Sequence, residues 1–319
     1  MAEVAPPLAA LVVAAALAVL ATVTAVLDGA LNPVETGGRD RDSAARRWGA
    51  ALRLPVAEAA RLLRQCRRST IAADRLLWRA GLIGLPVVAC LMAALIPLGP
   101  VTVADSAVGI VWFNALDVTV WALVWMAGWG ANSVFGLIGG YRFLAQALAY
   151  ELPLMVALTA PAVAAGSLGL GDVVAAQDAL WFVVWMPVAF VVYCLAVAGF
   201  AVWGPLSHPA GIDIAGGVLA ELSGVDRLLL LAGRYALLTA GAAIGVTLFL
   251  GGGAGPVLPG WAWLCVKTVL LSAALIAVGG RLPTVRADRF VEVGWLIMLP
   301  AALLQVLVVA VVATWPGGG

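Results

Sequence analysis

Long runs of apolar residues, separated by short polar segments, dominate the pattern along this chain. Each run holds about 20 residues, the length that an α-helix needs to cross about 30 Å of hydrocarbon. Eight runs are predicted to span a membrane, and they occupy residues 8–27, 76–98, 107–129, 147–168, 179–203, 227–250, 261–279 and 292–314. The predicted fold class is therefore all-α, a polytopic membrane protein whose residues 1–319 form a single membrane domain.

One segment between the first two runs has a different pattern. In residues 54–68, apolar positions alternate with basic ones such as Arg61, Arg64 and Arg67. This pattern is typical of an amphipathic helix that lies along a membrane surface, with a solvated basic helix as the alternative. The first span is expected to end at Asp28.

The basic residues fall on one side of the predicted topology. The loops that carry them, together with their helix ends, are residues 28–75, 130–146, 204–226 and 280–291. The loops between them carry aspartates and no Lys or Arg. The positive-inside rule then places the basic loops in the cytoplasm and, with an even number of spans, both termini outside. The expected location is a bacterial plasma membrane.

Composition excludes several classes of function. The chain is 64% hydrophobic and 11% charged, whereas a soluble domain carries about 25% charged residues. A net charge of +1 gives no support for a nucleic-acid partner. The four cysteines are far apart and form no CxxC pair, so we expect no metal or iron–sulfur site in this chain.

Polar chemistry is concentrated in residues 128–151. Arg142, Gln146 and Tyr150 recur every four residues, which places them on one helical face with Glu151 at its edge. Such groups at membrane depth usually face a protein interior or a wet cavity. We expect this stretch to begin as a cytoplasmic loop and to continue into a helix that becomes apolar.

The same stretch resembles the H subunit (subunit 1) of respiratory complex I, the proton-pumping NADH:quinone oxidoreductase. That family carries an AGW-x-S-N stretch, then GG-x-R, then AQ-x-x-x-YE. The matching positions here are Gly128, Trp129, Asn132, Gly139, Gly140, Arg142, Gln146, Tyr150 and Glu151. Weaker similarities in the same order extend the resemblance over about residues 54–312.

The resemblance implies an eight-span helical subunit with no redox centre and no activity alone. It implies that the chain helps form a quinone cavity and couples electron transfer to proton translocation. Quinone, either menaquinone or ubiquinone, would be the substrate, and iron–sulfur centres and flavin would lie in partner subunits. The expected partners are iron–sulfur subunits of the quinone module, antiporter-like membrane subunits and the lipid bilayer.

Two sets of candidate residues follow from this resemblance. The candidates for proton coupling are Glu151, Lys267, Asp213 and Glu221. The candidates for the quinone cavity or its loops are Arg142, Gln146, Tyr150, Asp213, Glu221, Asp226 and His208. Structural roles are the alternative throughout: a salt-bridged helix start, helix–helix hydrogen bonds, solvated loop charges or a lysine that snorkels to the interface.

The chain also departs from the family pattern. The third cytoplasmic loop is strongly acidic in the family, whereas here it keeps only Asp213 and Glu221, with Asp226 just beyond. Arg234 stands where the family carries a Glu, and an arginine cannot accept a proton at physiological pH. The alternatives left open are the membrane subunit of an energy-converting nickel–iron hydrogenase and, from another class, a scaffold subunit or secondary transporter without a quinone site.

Overall fold

The computed structural model describes residues 6–32, 44–98 and 102–314, with side chains from residues 8 and 48 onward in the first two ranges. These residues form α-helices joined by turns and, between Phe200 and Gly224, by a longer loop with three short 3-10 helices; no β-strand occurs among them. Part of the predicted loop 28–75 and both extreme termini lie outside the described residues.

Twelve α-helices are present in the described ranges. Their bounds are α1 (Pro6–Leu31), α2 (Ala44–Arg64), α3 (Arg75–Ala94), α4 (Gly109–Gly130), α5 (Val134–Ala165), α6 (Leu170–Ala175), α7 (Phe182–Trp185), α8 (Pro187–Phe200), α9 (Gly224–Phe249), α10 (Gly260–Arg281), α11 (Ala287–Val293) and α12 (Leu299–Thr314). A π-helical segment, Gly294–Met298, joins α11 and α12 into one rod. Seven of the described helices are long and apolar enough to cross a membrane: α1, α3, α4, α5, α9, α10 and the α11–α12 rod.

The predicted fifth span, residues 179–203, is not one continuous helix. It is divided into the single turn of α7 and the 14-residue helix α8, which starts at Pro187. Proline has no backbone N–H to continue the preceding ladder of hydrogen bonds, so it suits the first position of a new helix. Because α8 is about 21 Å long, the count of eight spans remains a prediction.

Three expected boundaries are wrong. Asp28 does not end the first span, since α1 continues to Leu31 while Asn32 and Tyr235 bind the Asp28 carboxylate. The amphipathic helix is present as α2, but it starts at Ala44 and ends at Arg64 rather than spanning residues 54–68. The predicted loop 130–146 is mostly helix, because only residues 131–133 connect α4 to α5.

Glycines bring the first turn of α5 against the end of α4. A Cβ on Gly128 of α4 would lie 2.5 Å from the carbonyl oxygen of Gly136, so these two helices touch through bare backbone. Close approach through small residues is the usual way in which helices associate in a bilayer. The helix α9 lies at the centre of the bundle and contacts α1, α3, α8 and α10.

The close approach at Gly128 predicts a specific sensitivity. Gly128→Ala should destabilise the protein by about 1–3 kcal/mol, because the added methyl group overpacks the α4–α5 contact. Gly171→Ala is the matched control, since a Cβ at that exposed position meets nothing within 4 Å. The thermal midpoint of each variant in mild detergent is the measurement, and equal midpoints would contradict the packing argument.

Candidate functional site

The predicted polar face of α5 exists and is buried in the bundle. Gln146 and Tyr150 are both fully buried. The Gln146 Nε2 donates to the Gly199 carbonyl oxygen on α8 at 2.9 Å. A Cβ on Gly199 would lie 2.7 Å from the ring of Tyr150, so α8 can lie against this ring only with a glycine there.

Glu151 lies in the middle of α5 rather than at a helix start. It is about 26 Å along the helix from Val134 and about 21 Å from Ala165. Its side chain is 7% exposed. Its Oε1 accepts a hydrogen bond of 3.2 Å from Asn114 Nδ2 on α4, and no cation among the described residues pairs with it.

A second carboxyl group faces Glu151 from the neighbouring helix. Asp117 is one turn after Asn114 on α4 and is fully buried. Its carboxyl group faces the Glu151 carboxyl and the hydroxyl of Tyr150. Both Asp117 oxygens and Glu151 Oε2 have no hydrogen-bond partner among the described residues.

This carboxyl pair, Asp117 and Glu151, has a definite chemical capacity. Two ionised carboxylates side by side in a dry environment repel each other and both lose hydration, so the pair holds at least one proton. Protons on such coupled groups belong to the pair rather than to either residue. The arrangement can therefore store a proton within the membrane and release it when its surroundings change.

Asp117 was not among the predicted site residues. It is a lone acid inside the apolar run 107–129, far in sequence from the conspicuous motif that ends at Glu151. A usable signal was present, since an ionisable residue within a span is rare and usually functional. The pairing itself could not be found from the sequence, because it depends on how α4 packs against α5.

Each acid of the third predicted cytoplasmic loop contacts a residue from another part of the chain. Asp213 pairs with Arg142 Nη2 at 2.7 Å, and Arg142 also donates to the His208 carbonyl oxygen at 3.4 Å. Glu221 accepts a hydrogen bond of 2.7 Å from Ser133 Oγ, the residue before α5. Farther on, Asp226 Oδ1 lies 3.1 Å from Arg67 Nη2. The structure thus brings Arg142, His208 and Asp213 together but keeps Glu221 and Asp226 in separate contacts.

Two groups of this loop have shifted pKa values. The hydrogen bond from Arg142 holds the pKa of Asp213 below its ordinary value. Partial burial lowers the pKa of His208, and the positive charge of Arg142 lowers it further. The loop is therefore arranged around an ionised Asp213 and a neutral His208 at pH 7.

Arg234 is held by backbone rather than by an acid. Its guanidinium donates to the carbonyl oxygens of Ala201 and Val202 and lies 5.2 Å from the centre of the Trp203 ring. These carbonyls follow the C-terminal end of α8, where the helix dipole favours a cation. Next to it, Tyr235 donates a hydrogen bond of 2.9 Å to Asp28, so this site carries a fixed positive charge and one carboxylate.

Lys267 lies far from the other candidates. Its Nζ donates to the carbonyl oxygens of Leu250, Gly252 and Ala254 at 2.7, 3.1 and 2.7 Å, and it lies 4.1 Å from the ring centre of Trp181. That turn follows the end of α9 opposite the 204–226 loop, and α9 is about 39 Å long. All three N–H groups are used, a geometry that supports a structural clamp; the proton-path role remains a prediction.

Comparison with known proteins fits this arrangement. A family model described as NADH dehydrogenase matches residues 8–310. The NADH-quinone oxidoreductase H subunit 2 of Geobacter sulfurreducens is 34% identical over 265 residues, which cover 80% of each chain. The chain belongs to the H subunit family of these oxidoreductases. Its other relatives include the H subunit 2 of Cereibacter sphaeroides, 37% identical over 66% of this chain and 67% of the relative, and the H subunit of Anoxybacillus flavithermus, 32% identical over 90% of this chain and 85% of the relative.

Membership of the H subunit family confirms the resemblance based on the central motif. It makes the protein part of an NADH-quinone oxidoreductase complex and a multi-pass bacterial membrane protein. It disfavours the hydrogenase, transporter and scaffold alternatives. In this chain the motif residues Tyr150 and Glu151 lie against Asp117. The family motif therefore forms part of a buried cluster with a second carboxyl group.

The lowered pKa of His208 predicts a pH dependence of the 204–223 loop. In the folded chain the pKa of His208 is lower than the value of about 6.5 for an unfolded histidine. Between these two pKa values the unfolded state binds more protons than the folded state. The loop should therefore lose protection as the pH falls from about 7.5 to about 5.5. The charges that face His208 are Arg142, Asp213, Arg286 and Asp288.

Hydrogen–deuterium exchange of the loop, corrected for the intrinsic effect of pH, measures this change. His208→Gln should abolish the pH dependence in this window while leaving exchange at pH 7.5 close to wild type. A wild-type loop whose corrected exchange is flat between the two pH values would contradict the assignment.

Proposed function

We propose that this protein helps form the quinone cavity of a complex I-like oxidoreductase and couples quinone reduction to proton translocation. The observation that carries the proposal is the carboxyl pair, Asp117 and Glu151, buried between α4 and α5 without a cation among the described residues. A structural ion pair would need a cationic partner at this depth, whereas a proton-holding pair needs none.

Neighbouring groups suit the pair to proton transfer. The Asn114 amide donates to Glu151 and fixes one of its oxygens. The Tyr150 hydroxyl faces Asp117 and can either donate or accept a hydrogen bond. The remaining carboxyl oxygens are left for a proton or a water, so the pair can change its proton content without displacing a fixed partner.

The cytoplasmic cluster of Arg142, His208 and Asp213 supports the quinone part of the proposal. Arg142 and Glu151 are on the same helix, about 14 Å apart along its axis. A charge change where a quinone is reduced near this cluster would act on the carboxyl pair through one continuous helix. In this scheme Glu221 and Asp226 fix the loop, by Ser133 and Arg67 respectively.

Electrons are supplied from outside this chain in the proposal. The iron–sulfur centre that reduces the quinone and the flavin that accepts electrons from NADH would be in partner subunits, and antiporter-like subunits would adjoin the membrane face. The chain contributes no redox group and is inactive alone. Menaquinone and ubiquinone both remain open as the substrate.

The proposed orientation places the basic loops in the cytoplasm and both termini outside. Cys66 tests it, because it is the exposed free cysteine among the described residues and follows α2 on the basic side. A membrane-impermeant maleimide should label Cys66 in inverted vesicles and not in intact cells, with a Cys66→Ser chain as the control. Labelling in intact cells would reverse the topology.

The coupling role predicts the behaviour of neutral variants. Glu151→Gln, in the assembled complex in liposomes, should lower quinone-dependent proton uptake at least about 10-fold, because it removes an ionisable carboxyl group from the pair. Asp117→Asn should lower it in the same direction. NADH-driven quinone reduction and proton uptake are measured together on the same preparation.

Asp178→Asn is the matched control, an exposed acid on the opposite side of the predicted membrane. It should leave both rates unchanged. Wild-type rates in both Glu151→Gln and Asp117→Asn, with full assembly, would refute a coupling role for the pair.

A further inference from the structure

Two adjoining depressions lie at the basic end of α3. The first is a cavity of about 190 Å³, bounded by Arg67, Arg68, Arg75 and Arg79 and by the indole of Trp78. The second is an open groove of about 590 Å³ that runs down α3 from Arg75 and Arg79. Because Arg75 and Arg79 line both depressions, the two depressions form one continuous surface, which we call the arginine groove.

The face of α3 that forms this groove is divided into a charged and an apolar half. Arg75, Arg79, Ile83 and Val87 recur every four residues and so share one helical face. Ile83 and Val87 are about half exposed, at 50% and 49%. The stripe is about 18 Å long, close to the depth of one leaflet in a hydrocarbon core of about 30 Å.

The charged half has donors in excess of acceptors. Asp226 is the one carboxylate that lines the cavity, and its nearest ion-pair partner is Arg67 at 3.1 Å. Arg68, Arg75 and Arg79 form no ion pair with any described residue. Four guanidinium groups against one carboxylate leave a net charge of +3 around the cavity.

Trp78 closes one side of the cavity. Its side chain is 4% exposed and lines the cavity, while its indole N–H is buried away from the cavity surface. A ligand that satisfies Arg68, Arg75 and Arg79 must be anionic and must offer several acceptor oxygens, as a phosphate group does.

We propose that the arginine groove binds one anionic phospholipid from the leaflet on the basic side of the membrane. The phosphate lies among Arg68, Arg75 and Arg79. One acyl chain lies along Ile83 and Val87. Basic pockets at the cytoplasmic ends of membrane helices bind anionic headgroups in this way.

The continuity of the two halves favours a lipid over the other occupants. A soluble phosphate would use the cavity but would leave the apolar stripe unexplained. An acidic segment of a partner subunit would supply carboxylates, but it would also need an apolar stretch beneath them to cover Ile83 and Val87. A phospholipid has its phosphate and hydrocarbon in the order in which α3 presents its arginines and apolar residues.

The test uses the assembled complex reconstituted in phosphatidylcholine nanodiscs. Phosphatidylglycerol with a photoreactive acyl chain is titrated in, and labelling of the α3 peptide that contains Ile83 and Val87 is measured. Wild type should label saturably at this peptide. Arg75→Gln combined with Arg79→Gln should weaken the apparent affinity by about 30-fold, the effect of losing two cations near an anionic headgroup.

A control variant completes the design. Arg281→Gln combined with Arg289→Gln removes two exposed arginines elsewhere and should label as wild type does.

Three outcomes would overturn the proposal. Equal labelling of wild type and the Arg75/Arg79 double variant would show that the groove is ordinary lipid-facing surface. Protection by inorganic phosphate at matched concentration, without saturable acyl-chain labelling of α3, would identify a soluble-anion site. Capture of another subunit by a photoreactive residue placed at Ile83, instead of lipid, would show that a protein covers the groove.

Discussion

Polar groups at membrane depth must find their partners within the protein, because the hydrocarbon around them offers none. Most of the buried polar side chains in this bundle meet that constraint. Lys267 donates to three backbone carbonyls, Arg234 to two, and Gln146 to one on α8. Asp117 and Glu151 differ, since three of their four oxygens are without a partner among the described residues. A buried carboxyl group left unsatisfied costs stability, so two such groups that face each other between α4 and α5 indicate use.

The position of the carboxyl pair depends on close helix packing. Gly128 and Gly136 bring the backbones of α4 and α5 into direct contact near one end of the two helices. On the other side of α5, Gly199 lets α8 lie against the ring of Tyr150. Larger side chains at these positions would push the helices apart and separate Asp117 from Glu151. The proton chemistry and the small-residue packing are therefore parts of one arrangement.

Hydropathy predicted most of the spans well, because the length of an apolar run is itself the physical requirement for crossing a bilayer. It failed where tertiary structure decides. Gly139 and Gly140 look like loop residues, but in α5 they let other backbone approach, and the helix already begins at Val134. The contact between Arg142 and Asp213 joins residues far apart in the chain, as does the contact between Asp117 and Glu151. A single sequence carries the residue types of such pairs but not the packing that brings them together.

Two polar centres lie along α5, the Arg142–Asp213 ion pair and the Asp117–Glu151 carboxyl pair, and a change of charge costs a different free energy at each. The contact of Asp213 with Arg142 is open to solvent, and exposed ion pairs of this kind add little to stability. Placing a net charge on the Asp117–Glu151 pair is costlier, since an uncompensated charge at the centre of a membrane helix costs about 2.5–3.5 kcal/mol on insertion scales. In the proposed scheme the loop can rearrange around a quinone at little energetic cost, whereas a net charge on the pair requires compensation from its surroundings. In the coupling that we propose, a change in the proton content of the pair, rather than a change in the loop contacts, is therefore the energetically decisive step.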